Sequence, residues 1–211
     1  MKEYRTLKEP CEIELVIKKS RFFGRLYPVE SFEQAQEILE QIKRKYWDAS
    51  HNCSAMVIGE SGEYTRCSDD GEPQGTAGVP MLEALKLGGL TNVIAVVTRY
   101  FGGVLLGAGG LVRAYTASVA QAVHSAKKVL RTPCRVFALS VPFSLWGKAQ
   151  SQLLSAGIQI GKMEYLDEVC IEAYVPDGRE QSFYQLISEL SSGRMNPTEL
   201  REQYLETPII D

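Results

Sequence analysis

Ile13, Leu15 and Ile17 alternate with Glu12, Glu14 and Lys18, the period-two pattern of a half-buried strand. The charged stretch Lys18-Lys19-Ser20-Arg21 then reads as a turn, and Phe22 to Tyr27 as a partner strand ended by Pro28. After Ser31 the period changes. Ser31 with Gln34 three residues on forms a capping box, and Ala35, Ile38, Leu39, Ile42 and Tyr46 fall on one helical stripe. Two strands are predicted over 53–58 and 63–67, across the Ser61-Gly62 turn. Thr76 to Leu87 is predicted as a helix, with Met81, Leu82 and Leu85 at three- and four-residue spacings before Gly88-Gly89. Val93 to Val97 is a near-continuous β-branched run, which predicts a central strand buried on both faces. A second long helix is predicted from Leu111 to Lys127. Leu111, Tyr115, Val119, Ala122 and Ala126 form its core stripe, with Lys127 and Lys128 at its negative end.

Thr132-Pro133 interrupts helical periodicity, so a domain boundary is expected near 131, giving domains 1–131 and 132–211. One sheet continuing through residue 131 would contradict that division. In the second part Phe137, Leu139, Val141 and Phe143 alternate as a strand, and Ser144 opens a helix through Leu145, Ala149 and Leu153 that Gly157 closes. Strands follow near 158–165 and 168–175. A helix with Phe183, Leu186, Ile187 and Leu190 ends at Gly193, and a last strand lies near 199–206. That order is the ferredoxin-like βαββαβ unit. The fold class expected is therefore α+β.

The chain has 211 residues, 45% hydrophobic and 23% charged, as expected of a soluble globular protein. No apolar run approaches the roughly 20 residues of a membrane span, and the first residues lack the apolar core of a signal peptide. A cytoplasmic protein with no membrane partner is expected. Five cysteines, none in a C-x-x-C pair, and two histidines point away from a disulfide frame or a zinc site. The net charge of −3 is unevenly spread. Residues 1–131 carry 17 Lys+Arg against 15 Asp+Glu, and residues 132–211 carry 6 against 11. Neither part is basic enough for a bulk phosphate-binding surface, so any RNA contact must be local.

Candidate chemistry gathers in two glycine-rich loops that flank the β-branched run. The first is Ser68-Asp69-Asp70-Gly71-Glu72-Pro73-Gln74-Gly75-Thr76-Ala77-Gly78. The second runs from Arg99-Tyr100-Phe101-Gly102-Gly103 to Gly107-Ala108-Gly109-Gly110-Leu111-Val112-Arg113. Eight glycines in these stretches point to shaped loops. Asp69, Asp70, Glu72, Arg99, Tyr100, Gly102, Gly103, Gly107, Gly109, Gly110 and Arg113 are the candidate binding residues.

The second loop opens a helix and can cradle an anion, although it lacks the Rossmann and P-loop spacings. The three acids read as a turn, as ligands for a hard cation, or as ion-pair partners of Arg99 or Arg113 that rigidify the loops. Arg113 lies off the core stripe, on the helix side shared by Ala117, Ala120 and His124. Lys18, Lys19 and Arg21 beside Phe22 and Phe23 form a small basic and aromatic patch for nucleic-acid contact. His51-Asn52-Cys53 places a histidine and a thiol at i, i+2, but Cys53 is read as a small buried hydrophobe. No catalytic residue, metal site or cofactor is expected.

Lys19-Ser20-Arg21-Phe22, His51-Asn52-Cys53, the Ser68–Gly78 loop and the run from Thr98 to Tyr115 together resemble the IMPACT/YigZ family. The second part resembles the small C-terminal domain of its bacterial members. The resemblance implies a first domain folded like domain IV of translation elongation factor G, with a left-handed crossover, and a second like that factor's domain V. It also implies a role near translation, since the eukaryotic relatives act in translational control. The function expected is a translation-associated regulator that binds RNA, the ribosome or a translation component without catalysis. Two alternatives remain. One is an enzyme acting on an anionic substrate, with Asp69 or Asp70 holding a metal and Arg113 gripping the substrate. The other is a protein-binding module whose motif is chiefly structural.

Overall fold

The structure is a computed structural model that describes residues 1–210. The chain divides into two compact units. One comprises Met1–Leu130 together with the residues from Thr207, and the other comprises Arg131–Glu206.

In the first unit the elements run β1 (Tyr4–Leu7), β2 (Cys11–Ile17), β3 (Ser20–Pro28), α1 (Phe32–Lys45), β4 (His51–Ile58), β5 (Tyr64–Ser68), α2 (Gly78–Leu87), β6 (Val93–Tyr100) and α3 (Ala108–Ser125). Five strands form a sheet in the order β2-β3-β6-β4-β5, every pair antiparallel. β6 is the central strand. Val93, Ala95 and Val97 pack with α2 and α3 on one face, and Ile94 and Val96 pack with α1 on the other. Burial on both faces is what a nearly all-apolar run provides. Ser31 caps α1, its hydroxyl accepting from the Gln34 N–H at 3.2 Å. The buried face of α3 is Leu111, Ala114, Tyr115, Ser118, Val119, Ala122 and Val123, which leaves Arg113 exposed on the opposite side.

The second unit is built from β7 (Lys128–Val141), α4 (Phe143–Ser155), β8 (Gln159–Tyr165), β9 (Val169–Pro176), α5 (Glu180–Ser191) and β10 (Thr198–Pro208). Its strands are ordered β10-β7-β9-β8, the ferredoxin-like arrangement of the βαββαβ motif. Phe137, Leu139, Val169 and Ile171 on the sheet meet Leu153, Phe183 and Ile187 on the helices.

The two units divide between Leu130 and Arg131, beside the expected boundary, but the backbone is not interrupted there. β7 runs unbroken from Lys128 to Val141 and belongs to one sheet with β1, β9, β8 and β10. Pro133 is accommodated because it stands at the end of the β7–β9 ladder. Its carbonyl still accepts from Asp177 N at 3.1 Å, while the missing N–H stops the pairing there. The chain also leaves the second unit again at Thr207, so 132–211 is not one block. Ile209 N donates to Lys128 O at 3.0 Å within the first unit.

Candidate functional site

The two glycine-rich loops adjoin the ends of β4 and β6. Register places His51 opposite Arg99 and Cys53 opposite Val97, so alternation points Arg99 and Cys53 toward the α2–α3 side. There Arg99 Nη1 donates to Glu72 Oε1 at 2.6 Å, both side chains being almost wholly buried. Tyr115 donates its hydroxyl to the same Oε1 at 2.7 Å, and His51 Nε2 stands 3.8 Å from the other oxygen. The second guanidinium nitrogen reaches Ser20 Oγ at 3.5 Å, whereas Arg99 Nε has no acceptor. Cζ of Arg99 is 5.5 Å from the Phe22 ring centroid and 5.7 Å from that of Phe101. A buried ion pair of this kind is costly to break, because the remaining charge has no water.

Two other acids of the first loop are used locally. Asp69 accepts from Gly75 N at 2.8 Å through one oxygen, and from Ala77 N at 3.0 Å and Gly78 N at 2.8 Å through the other. It therefore caps α2, whose own N-cap residue, Ala77, has no side-chain bond to give. Burial alone would raise the Asp69 carboxyl, but these three donors outweigh it and hold it below the usual carboxylate value. Asp70 accepts from Lys43 Nζ at 2.6 Å and from Asn52 N at 2.7 Å, tying the loop to α1 and β4. Its carbonyl is 2.9 Å from His51 Nδ1.

Cys53 is wholly buried. Its thiol donates to Asp69 O at 3.0 Å and lies 3.4 Å from the Tyr115 hydroxyl. Burial pushes this thiol up to about 12, so it stays protonated and is a poor nucleophile at neutral pH. Burial, together with the neighbouring Cys53 and Glu72, likewise drives the Tyr115 phenol strongly upward.

The second loop behaves differently. Gly102 is pressed onto the β2–β3 turn, where an added Cβ would lie 2.0 Å from the Lys19 carbonyl carbon. Its N–H donates to Ser20 Oγ at 3.2 Å. On either side of it Phe101, Val104 and Leu105 are exposed, Leu105 by 82%. Gly107, at φ 73°, opens α3 without a side-chain cap, leaving the first N–H groups free of side-chain acceptors. A hollow of about 250 Å³ beside it is lined by Lys18, Leu106, Gly110 and Arg113, among others. Lys18, Lys19 and Arg113 have no ion-pair partner among the described residues.

The patch expected around Arg21 is divided by the sheet. Phe22 belongs to the core, edge-on to Tyr115 with centroids 5.4 Å apart. Phe23 faces the other way, under Arg21 at 4.8 Å. Arg21 is itself paired with Glu14 at 2.7 Å, so its charge is already countered. Tyr100 lies 6.1 Å from Phe23 and donates to Asp48 at 2.9 Å. An acid of the first loop does pair with one of the two candidate arginines. Glu72 and Arg99 meet in the interior, and Arg113 stands apart from them on the exposed face of α3.

Residues 18–123, which contain both loops, match the Impact N-terminal domain, and residues 139–194 match a domain of unknown function, DUF1949. The chain belongs to the IMPACT family. It is 42% identical to the IMPACT family member YvyE of Bacillus subtilis over 206 residues, 98% of this chain and 95% of that protein. It is 33% identical to the IMPACT family member YigZ of Escherichia coli, covering 92% and 96% of the two chains. Protein IMPACT of Homo sapiens matches over 100 residues at 33% identity, 45% of this chain and 31% of that protein. A crystal structure described as that of a hypothetical protein superposes with a TM-score of 0.62 at 32% identity, covering 95% of this chain and 98% of the other. No helix among the described residues is long and apolar enough to cross a membrane.

Proposed function

We propose that this chain is a translation-associated regulator whose first unit docks, without catalysis, on RNA of the ribosome. The contact surface is the β2–β3 turn, the 101–110 loop and the start of α3. The observation that carries this reading is the charge pattern there. Lys18, Lys19 and Arg113 have no ion-pair partner among the described residues, while the acids of the neighbouring loop are held by Arg99, Lys43 and backbone N–H groups. Three free cations beside an uncapped helix start offer phosphate contacts. The exposed Phe101, Val104 and Leu105 offer an apolar surface for unstacked bases. The committed carboxylates favour this reading over a metal-dependent enzyme, since ligating a cation would mean giving up an internal partner.

The test is binding of the full chain to purified ribosomes and to single-stranded RNA across a salt series. Three phosphate contacts predict a log–log salt slope of about −2 on single strands, at ~0.7 per phosphate. The triple substitution Lys18→Glu, Lys19→Glu, Arg113→Glu is expected to abolish binding with the fold intact by circular dichroism. Unchanged binding by that variant, or no binding to either target at low salt, would overturn the proposal.

A further inference from the structure

The second unit contains a cavity of about 660 Å³, within the size range of small-ligand sites. It opens where α4 begins and α5 ends, at one end of the unit's own strands. Ser140 of β7, Ser144 in the first turn of α4, Glu168 and Cys170 at the start of β9, and Arg194 and Asn196 between α5 and β10 all line it. Two of these carry full charges of opposite sign. Neither Arg194 nor Glu168 has an ion-pair partner among the described residues, each other included. The two poles are therefore present in one cavity, unneutralised and separate.

Arg194 is also pre-positioned. Its Nε donates to Ser191 O at 3.1 Å. The buried Ser191 hydroxyl accepts from the N–H groups of Arg194 at 3.1 Å and Met195 at 3.0 Å. The backbone and the inner nitrogen are thus fixed while the two terminal nitrogens keep their donors free. That arrangement lowers the ordering cost of a bidentate contact to a carboxylate. Glu168 supplies the opposite pole, and the Ser140 and Ser144 hydroxyls and the Asn196 amide add neutral hydrogen-bonding groups to the same lining. A simple anion would satisfy Arg194 but meet Glu168, in a part of the chain that already carries 11 acids against 6 bases. A simple amine would meet Arg194. A ligand with both poles satisfies each.

We infer that this cavity binds a free α-amino acid, its carboxylate on Arg194 and its ammonium on Glu168. The inference is independent of any ribosome contact by the first unit. Titration calorimetry and thermal shift of the full chain against the common α-amino acids test it. For each binder, the matching amine lacking the carboxylate and the matching acid lacking the amino group are titrated as well. At least one amino acid is expected to bind, and loss of either pole is expected to weaken binding by about tenfold or more, as for one charge-assisted hydrogen bond. Arg194→Met and Glu168→Gln are expected to lose a similar factor while keeping the ligand-free melting temperature. Both side chains are surface-accessible within the cavity, so the fold does not rest on them. The proposal fails if no amino acid binds at about 10 mM, if the amine or the acid binds as well as its parent, or if both variants bind like the unaltered chain.

Discussion

The two glycine-rich loops use the same residue types for opposite ends. In the 68–78 loop every acid is turned inward. Asp69 caps α2, Asp70 ties the loop to α1 and β4, and Glu72 lies under Arg99 and Tyr115. In the 101–110 loop Gly102 anchors one end and Gly107 opens α3, while Val104 and Leu105 between them stand out from the surface. A charged side chain in such a motif therefore signals function only when it has nothing internal to do. By that criterion Arg99 and Arg113, 14 positions apart, belong to different categories: one holds the loops in place, and the other is available to a partner.

The largest effect expected follows from breaking the inner set. Glu72→Ala would leave Arg99 buried and uncompensated and would remove the acceptor of Tyr115. Urea unfolding should show a loss of about 3–5 kcal/mol. A loss under about 1 kcal/mol would erase the distinction drawn above. Asp69→Ala should cost less, about 0.5–2 kcal/mol for a lost helix cap.

Asp69 also carries a pH signature. Its folded-state carboxyl is depressed, so its contribution is fully present above the unfolded value of about 3.9 and is lost as pH falls through the lower folded value. Asp69→Asn should therefore flatten the acid limb of the stability curve relative to the unaltered chain. Identical acid limbs would show that the cap carries no charge-dependent stability.

A smaller, chemical contrast lies at Cys53. With its thiol pushed up to about 12 and no exposure, it should resist alkylation at neutral pH until the chain is unfolded. Peptide mapping after labelling checks this, and native-state labelling of Cys53 would mean that the inner set opens readily. The smallest stability effect belongs to Arg113→Ala, at no more than about 0.5 kcal/mol for an exposed site. The same change should weaken RNA or ribosome binding by about 1–3 kcal/mol. The reverse pattern would make Arg113 a strut like Arg99.

Much of this architecture was legible in the sequence because it is local. The Ser31 cap, the β-branched run of β6 and the apolar stripe of α3 each reveal themselves within a single element. β1 was not seen, since four residues carry little periodicity and its pairing is with β7, far along the chain. β7 was read too short because Pro133 is a strong local signal, whereas its tolerance depends on where the β9 ladder ends. At the site, pairing of one of the three acids with Arg99 or Arg113 is one of three readings the sequence offers, and the pattern does not say which acid meets which arginine. Tyr115 was placed on the core stripe, and a buried phenol hydroxyl needs a partner; that requirement was the available clue to Glu72. Nothing local could reveal Lys43 on α1 meeting Asp70, because 27 residues of chain separate them. The cavity around Arg194 and Glu168 was equally invisible, being assembled from both helix ends and three strands.

The return of the chain at Thr207 has a consequence for the order of events during synthesis. The first unit is assembled from residues 1–130 and from 207 onward, and Ile209 closes onto Lys128. A nascent chain exposes the first portion long before the second exists. Until the closing segment emerges, the bond from Ile209 N to Lys128 O cannot form, although residues 131–206 leave the exit tunnel before it. Maturation of this protein thus runs against the direction of translation at its last step, with the unit made first being the one completed last.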